Sequence, residues 1–370
     1  MQIEIYNMTV LNDKLNISLE AVCDSFSSLL WDIEYYKCGA FEVYIAASPR
    51  NIEIFQTGRI VGRDDDKEHF GLIESVELET DAEDGDYLII KGRFLMCLLE
   101  RRIIYPTFNF TKLVSYSQIA MNVVQHNACT AGIRKIPGLV VGCSSGSCWD
   151  AKTKLQVSYD NLMEWVYTIC EKIGGTANIR LSKIDNEQYE MIFELSQGTD
   201  RSILQEVNPH IIFSDRYNNL LSFTYFTDTS VKKNYAYVLG KGEGEKRKRT
   251  TYFEDSEPSS LDRYEVYVDA KEISDEEQVD NETKPLSEEE YAELLKEKGK
   301  QNIVPITMKS ESQIAVQSTQ FQYGVDYFVG DFVTVEHHRF GIRQNKIQLV
   351  GMIESFDRNG RNLTPTFKEE

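Results

Sequence analysis

No CxxC pair occurs in the 370 residues, and the five histidines are scattered. Those two absences remove paired-thiolate zinc clusters and dithiol redox motifs from consideration. Seven cysteines, an odd number, lie at Cys23, Cys38, Cys97, Cys129, Cys143, Cys148 and Cys170. In a chain of this size that pattern reads as reduced thiols made in a cytosol. Cys143 and Cys148, in VGCSSGSCW, are the nearest pair and are spaced to close a small loop if their geometry permits a bond. Basic residues are also short: 40 against 59 acidic ones, a formal net charge of -19. Such a surface repels nucleic acid at long range, which excludes an ordinary duplex binder. A conduit that passes DNA without holding it is compatible with the same repulsion. No apolar stretch approaches the roughly 20 residues a membrane helix needs. The start, MQIEIYNMTVLNDKLNISLE, lacks a basic head and an apolar run, so no signal peptide is expected. Triplets such as Asn16-Ile17-Ser18 therefore carry no weight as glycosylation sites.

Enzyme signatures are missing too. There is no GxSxG elbow, no HExxH and no Walker loop. Gly240, Gly242 and Gly244 in LGKGEGEKRKR superficially suggest a dinucleotide loop. The third glycine comes one position early, and the stretch reads as a strand entering a hairpin tip rather than a helix. The basic run Lys246 to Arg249 has the charge to meet phosphate or an acidic partner, but a solvated hairpin tip is the simpler reading. His337 and His338 are adjacent, and neighbouring residues of a strand face opposite ways, so they are poorly placed to share one metal. Carboxylates are abundant, and nothing in the sequence prefers a pair such as Glu74 and Glu354 in a shared cleft over ordinary surface charge. Trp31, Trp149 and Trp165 read as core or interface anchors. No catalytic, cofactor or metal residue is assigned, and no cofactor is expected.

What is present is strand pattern. Aromatics reach 11%, with 20 Tyr and 18 Phe against 8 Pro, a composition suited to half-buried pleated surfaces. Two-residue alternation predicts strands at Phe41 to Ala47, Ile52 to Gly62, Phe70 to Glu79 and Asp86 to Phe94, with Asp84-Gly85 as a tight turn. Phe94 to Ile104 turns helical, with Arg101 and Arg102 in its last turn. Ser117 to Asn127 is a short helix. Ser158 to Ile173 is the clearest helix: Leu162, Trp165, Val166, Ile169, Cys170 and Ile173 make one stripe, with Ser158 as N-cap and Gly174-Gly175 as the stop. Strands follow at Thr176 to Leu181, Tyr189 to Leu195, His210 to Ser214, Asn219 to Phe226, Asn234 to Gly240 and Arg263 to Ala270. Lys271 to Lys284 is acidic and nearly devoid of apolar residues, which marks a linker. Ser287 to Lys298 reads as an amphipathic helix with a Ser287/Glu290 capping box, an apolar face of Tyr291, Leu294 and Leu295, and Gly299 as its end. Short strands and turns resume from Ile314 to Phe367.

One internal echo is visible. GLIES at Gly71 to Ser75 returns as GMIES at Gly351 to Ser355, each before an acidic turn carrying Gly85 or Gly360. Two similar β units separated by inserted α+β material is the economical reading.

The segments LLWDIEYYKCGAFEVYIAAS, GRIVG, GLIES, KGRFLMCLLERRI, YDNLMEWVYTIC, IIFSDRYNNLLSFTY, KNYAYVLGKGEG, LDRYEVYVDA and YGVDYFVGDFVTV, in that order, resemble the siphovirus-type tail protein family related to the phage baseplate hub. The resemblance runs over nearly the whole chain and rests on structural motifs. It implies a β-rich, multidomain α+β chain: two β-barrel tail-tube-like domains, an inserted α+β domain and a helical insertion. The expected division is 1-108 for the first barrel, 109-205 for the α+β domain, 206-270 plus 301-370 for the second barrel, and 271-300 for the acidic linker and helix. Three such subunits would offer six similar barrels, matching a sixfold tail tube to a threefold tip. The implied partners are two further copies, tube proteins above, tip or spike proteins below, and passing DNA, with no membrane span; the implied location is the virion tail. The peptidase or glycan-cleaving extension of some tail-tip proteins is not recognised here, so cutting of the host wall is expected of another chain.

Two other classes stay open at this point. A tail-associated wall hydrolase would need two carboxyls about 5 to 9.5 Å apart in one groove. A glycan-binding receptor protein would show exposed aromatic platforms on a distal domain.

Overall fold

A computed structural model describes residues 1–12, 14–81, 85–185, 187–279, 282–304, 307–314 and 320–368. The chain opens with β1 (Ile3–Leu11), β2 (Lys14–Cys23), β3 (Ser28–Glu34) and β4 (Ala40–Ala46). In β3 and β4 every second side chain is buried, Leu29, Trp31 and Ile33 in one and Phe41, Val43 and Ile45 in the other, so each strand presents one face to a core. The strand expected across Ile52 to Gly62 is not formed. Its first half is a short helix, α1 (Pro49–Ile54), because the Ser48 hydroxyl accepts the Asn51 N–H at 3.0 Å and Pro49 fixes the first turn. Only its end survives as β5 (Ile60–Arg63), followed by the long β6 (Asp66–Asp81) and β7 (Gly85–Phe94). Asp84 of the expected Asp84-Gly85 turn lies outside the described residues; Gly85 itself has φ +93°, where a glycine is least strained.

A helical turn, α2 (Cys97–Glu100), is all that forms of the helix expected over Phe94 to Ile104. Next come β8 (Phe108–Ser115), α3 (Tyr116–Val124), β9 (Leu139–Ser144), β10 (Lys152–Val157), α4 (Leu162–Ile173), β11 (Thr176–Asp185) and β12 (Gln188–Ser196). Helix α4 starts at Leu162, the first residue of its apolar stripe, and not at Ser158 as expected. Tyr159 sits at φ +61°, which breaks the helix before it begins. The cap is Asn161, whose side chain accepts from the amides of Met163 and Glu164, and not Ser158. Gly174 ends the helix in the left-handed region as expected. Helices α3 and α4 bury Ile119, Val123, Leu162, Val166 and Ile169 in one core with Trp149, Phe193 and Leu195.

The second half contains β13 (Ile212–Ser214), β14 (Leu220–Asp228), β15 (Tyr235–Leu239), β16 (Arg249–Tyr252) and β17 (Glu265–Asp269). The stretch read as a linker instead forms a hairpin, β18 (Glu276–Val279) with β19 (Glu282–Pro285), since backbone pairing needs no apolar side chains. Helix α5 (Glu288–Lys300) carries the complete Ser287/Glu290 capping box. It does not stop at Gly299. That glycine is buried inside the last turn, where a Cβ would come within 2.7 Å of Val238 and 2.8 Å of Tyr252. Tyr291, Leu294 and Leu295 of α5 close a separate core with Ala236, Val238, Val268 and Ala270. The chain ends with β20 (Thr307–Ile314), β21 (Phe332–His337), β22 (Ile342–Asp357) and β23 (Gly360–Lys368). No described helix is long and apolar enough to cross a membrane.

Strand pairing turns the GLIES/GMIES echo into a repeat. In the first half the hydrogen-bonded order is β5-β6-β7-β4-β3; in the second it is β21-β22-β23-β20-β14. Numbered along the chain, both are third, fourth, fifth, second, first, with every pair antiparallel. GLIES lies in β6 and GMIES in β22, each the fourth strand of its unit and each 16 residues long. The fold is thus a β-rich α+β architecture containing one five-stranded pattern twice. In the largest sheet thirteen strands form one open path from which β9, β13 and β21 branch, three small sheets stand apart, and among the described residues no pairing joins the ends of that path.

The repeated glycine has different work in the two copies. A Cβ on Gly71 would meet the Phe41 ring at 2.3 Å, whereas one on Gly351 would sit 3.4 Å from its nearest neighbour, Thr366. Gly71→Ala is expected to destabilise the fold by about 1–3 kcal/mol through overpacking, with Gly351→Ala within about 1 kcal/mol of the parent. Denaturant midpoints compare the two; equal losses would contradict this packing.

Candidate assembly interface

The two repeats meet edge to edge. The outer edge of β3 pairs antiparallel with the C-terminal part of β22, from Glu34 against Gly351 to Leu29 against Phe356. This seam makes one continuous sheet out of two units, through strands whose paired residues lie more than 310 positions apart in the chain.

Charge is buried at its centre. Arg63, at the end of β5, has 2% of its side chain exposed. It donates to Asp65 through Nε and Nη2, both at 2.9 Å, and across the seam to Glu354 through Nη1 at 3.1 Å and Nη2 at 3.4 Å. Its guanidinium lies 5.5 Å from the Trp31 ring centroid and 4.8 Å from that of Phe356, one ring from each repeat. Burial opposes the charge on Arg63, but Asp65 and Glu354 outweigh it and hold the group firmly protonated. Glu354 also accepts from Arg361 Nε at 2.9 Å. Beside them the Trp31 indole donates to Asp66 at 2.9 Å and packs on Phe94 at 4.9 Å between centroids. Burial raises the Asp66 carboxyl, yet His69, the Glu68 amide and Trp31 prevail and keep it well below the usual carboxylate range.

Of the residues singled out in the sequence, Glu354 and Trp31 lie at this seam. Glu354 is its buried anion, and Glu74, its counterpart in the echo, is clamped by Arg93 at 2.8 and 2.9 Å. Both are committed to arginines. Trp31, Trp149 and Trp165 are all buried. The glycine-rich stretch runs from β15 through a tight turn into the antiparallel β16. Two residues of its basic run are held: Arg247 donates to the carbonyls of Gly240 and Leu239 and to Asp269, and Lys248 meets Glu288. His337 faces Asp215 at 3.4 Å, whereas the ring of His338 lies against Arg216. All seven cysteines are free thiols, with Cys143 exposed, and burial pushes Cys38 and Cys97 up to about 12. A cavity of 320 Å³ opens between α4, β10 and α5. Two of its lining carboxylates are ion-paired, Glu297 with Lys172 and Glu272 with Lys298.

Arg63 escaped the sequence reading. The available signal was IVGR, an arginine closing an apolar strand, followed at once by three aspartates. The edges without a partner strand among the described residues include two in the repeats, and one apolar stripe is exposed. No described strand pairs with β14 on the side away from β20, or with β6 beyond Ile73 on the side away from β7. Val10, Leu11, Leu19 and Val22 stand exposed along the β1–β2 hairpin, an apolar display of the kind that marks interaction surfaces.

Removing one partner of a buried charge pair leaves the other uncompensated. Arg63→Met is therefore expected to cost about 3–5 kcal/mol by denaturant titration; a loss under about 0.5 kcal/mol would contradict a structural role for the pair. Asp66 gives a pH test. Its folded pKa is depressed, so its contribution is complete above the unfolded value of about 3.9 and fades as pH falls through and below it. Asp66→Asn should flatten the acid limb of stability below about pH 4, and an unchanged limb would contradict the assignment.

Comparison with known proteins follows the same architecture. The model of the Siphovirus ReqiPepy6 Gp37-like protein family matches residues 3–367. No curated protein sequence matches the chain. Among solved structures, a tail protein from Neisseria meningitidis MC58 superposes with a TM-score of 0.57 at 13% identity, covering 100% of this chain and 97% of that one. The 43 kDa tail protein of prophage MuSo2 from Shewanella oneidensis gives 0.59 at 11% identity, over 99% and 98%. Prophage tail protein gp18 from Listeria monocytogenes EGD-e gives 0.53 at 11%, over 100% and 95%. At such identities the likeness is one of fold, and the family rests on the sequence match across nearly the whole chain: this protein belongs to the Siphovirus ReqiPepy6 Gp37-like family of phage tail proteins.

Proposed function

We propose that the chain is the hub subunit of a siphovirus-type tail, a structural, non-enzymatic ring component that joins the tail tube to the tip. The observation that carries this reading is the repeat: one polypeptide holds the same five-stranded unit twice, joined edge to edge. Three copies would present six similar units to a sixfold tube above, and three identical faces to a threefold tip or spike below. In that ring each unit rolls toward a tube-like barrel. The first is built on residues 1–108 and the second on 206–270 with 301–370, flanked by the α+β region 109–205. Strands β15 to β17 are the exception, since their apolar faces pack on α5, so they go with the insertion at 271–300. The net charge of -19 suits a lumen that must let DNA slide without binding it. The exposed apolar residues of the β1–β2 hairpin suit contacts made only on assembly, with the charge keeping the free subunit soluble.

The solution mass of the purified chain over a concentration series, followed by negative-stain imaging, tests this. Particles of three times the chain mass with a central hole wide enough for duplex DNA are expected. A chain that stays monomeric both alone and with its tail-tube partner would overturn the reading.

A further inference from the structure

We propose that neighbouring copies of this chain join by pairing the open edge of β14 in one copy with the open edge of β6 in the next, repeating between chains the seam that β3 and β22 form within one. The inference rests on the ring reading and adds the surface that closes the ring.

The argument is one of equivalence. In the strand order of the repeat, β3 is the first strand of unit one and β14 is the first strand of unit two; β6 and β22 are the two fourth strands. Inside the chain, a first strand of unit one pairs with the fourth strand of unit two. The same two kinds of edge are left over, in reversed ownership: the first strand of unit two, β14, and the fourth strand of unit one, β6. They cannot be satisfied by the seam already made, because β3 and β22 are used in it. A second copy supplies the missing partner with the chemistry the first seam already uses.

The edges fit in length, with the open run on β6 starting beyond the Gly71 to Ile73 stretch that the echo aligns with the start of the seam. The intrachain seam uses six registered pairs, Gly351 to Phe356 on β22. Strand β14 offers nine residues, Leu220–Asp228. On β6, the stretch up to Ile73 is already taken, through β5 and through the mutual bonds of Ile73 with Gly58 and Arg59. Ser75 to Asp81 remains, a run of about 23 Å at the rise of an extended strand. An open edge of this length is a template for another strand; exposed Leu78 on it and exposed Leu221 on β14 favour pairing, while Glu77 and Glu79 restrict it to a partner that accommodates their charge. The contact is heterologous, β14 on one copy and β6 on the other, so it propagates head to tail and closes into a ring when the rotation per copy allows. The units then alternate around the ring, one joint inside a chain and the next between chains, which is how a chain with two repeats makes a ring of evenly spaced ones.

Cysteine pairs test it on the full chain in a Cys143→Ser background. Leu221→Cys is combined with Ser75→Cys, and separately with Glu77→Cys. Leu30→Cys with Ser355→Cys, across the intrachain seam, is the control that must close within one chain. Under mild oxidation at a concentration where the parent is oligomeric, at least one Leu221 combination is expected to convert most of the protein into covalent multimers no larger than the native oligomer. Reductant should return them to monomer. Oligomers that form while neither combination cross-links and the control closes would overturn this pairing and leave the ring reading standing. Cross-linking by Leu221→Cys alone would mean a symmetric β14–β14 contact and would overturn it too. A chain that neither associates nor cross-links alone or with its tube partner would overturn both.

Discussion

The buried guanidinium of Arg63 is the constraint on which the rest depends. A charge removed from water is tolerable only when paired and hydrogen-bonded, and Arg63 is satisfied by Asp65 from its own repeat and Glu354 from the other. The two rings beside it, Trp31 and Phe356, likewise come one from each repeat. If the seam slips by one residue, the β22 side chains change face and Glu354 leaves the charge unmet. Register across the joint is thus specified by electrostatics as well as by which face of β22 is buried. Everything placed by the second sheet, including the open edge of β14, inherits its position from that lock.

Regarded as assembly chemistry, the molecule divides its contacts by permanence. Those within the chain are buried: the seam, the core under α3 and α4, and the small core around α5. Those left for partners are backbone edges and an apolar hairpin, Val10, Leu11, Leu19 and Val22. Edges give direction and register, apolar area gives strength, and the acidic surface discourages association before the right partner is met. The likeness to tail proteins at 11–13% identity fits this division, because strand order and edge pairing depend on pattern far more than on residue identity.

Local signals were legible in the sequence and distant ones were not. The stripe of α4 and the capping box of α5 are short-range patterns, and both helices are present. The errors are also local in origin: Ile52 and Ile54 alternate like a strand, but Ser48 and Pro49 nucleate a helix turn first. Gly299 looks like a terminator, yet it is there because Val238 and Tyr252 leave no room for a side chain. GLIES and GMIES pointed to a repeat from five residues, while its real extent is strand order, which leaves almost no trace in sequence. The seam was invisible for a plainer reason. Arg63 and Glu354 are 291 positions apart, and nothing near either residue announces the other except the run of aspartates after Arg63.

Hydrogen exchange read by mass spectrometry on the free and the assembled protein tests the central claim most directly, that the second joint copies the first. Amides at 29–34 and 351–356 should be protected in both states. In 75–81 and 220–228 the amides not already bonded to β7 and β20 should exchange fast in the free chain and slow together on assembly. Assembly that leaves the β6 and β14 edges exchanging fast would contradict the account, whatever the shape of the particle.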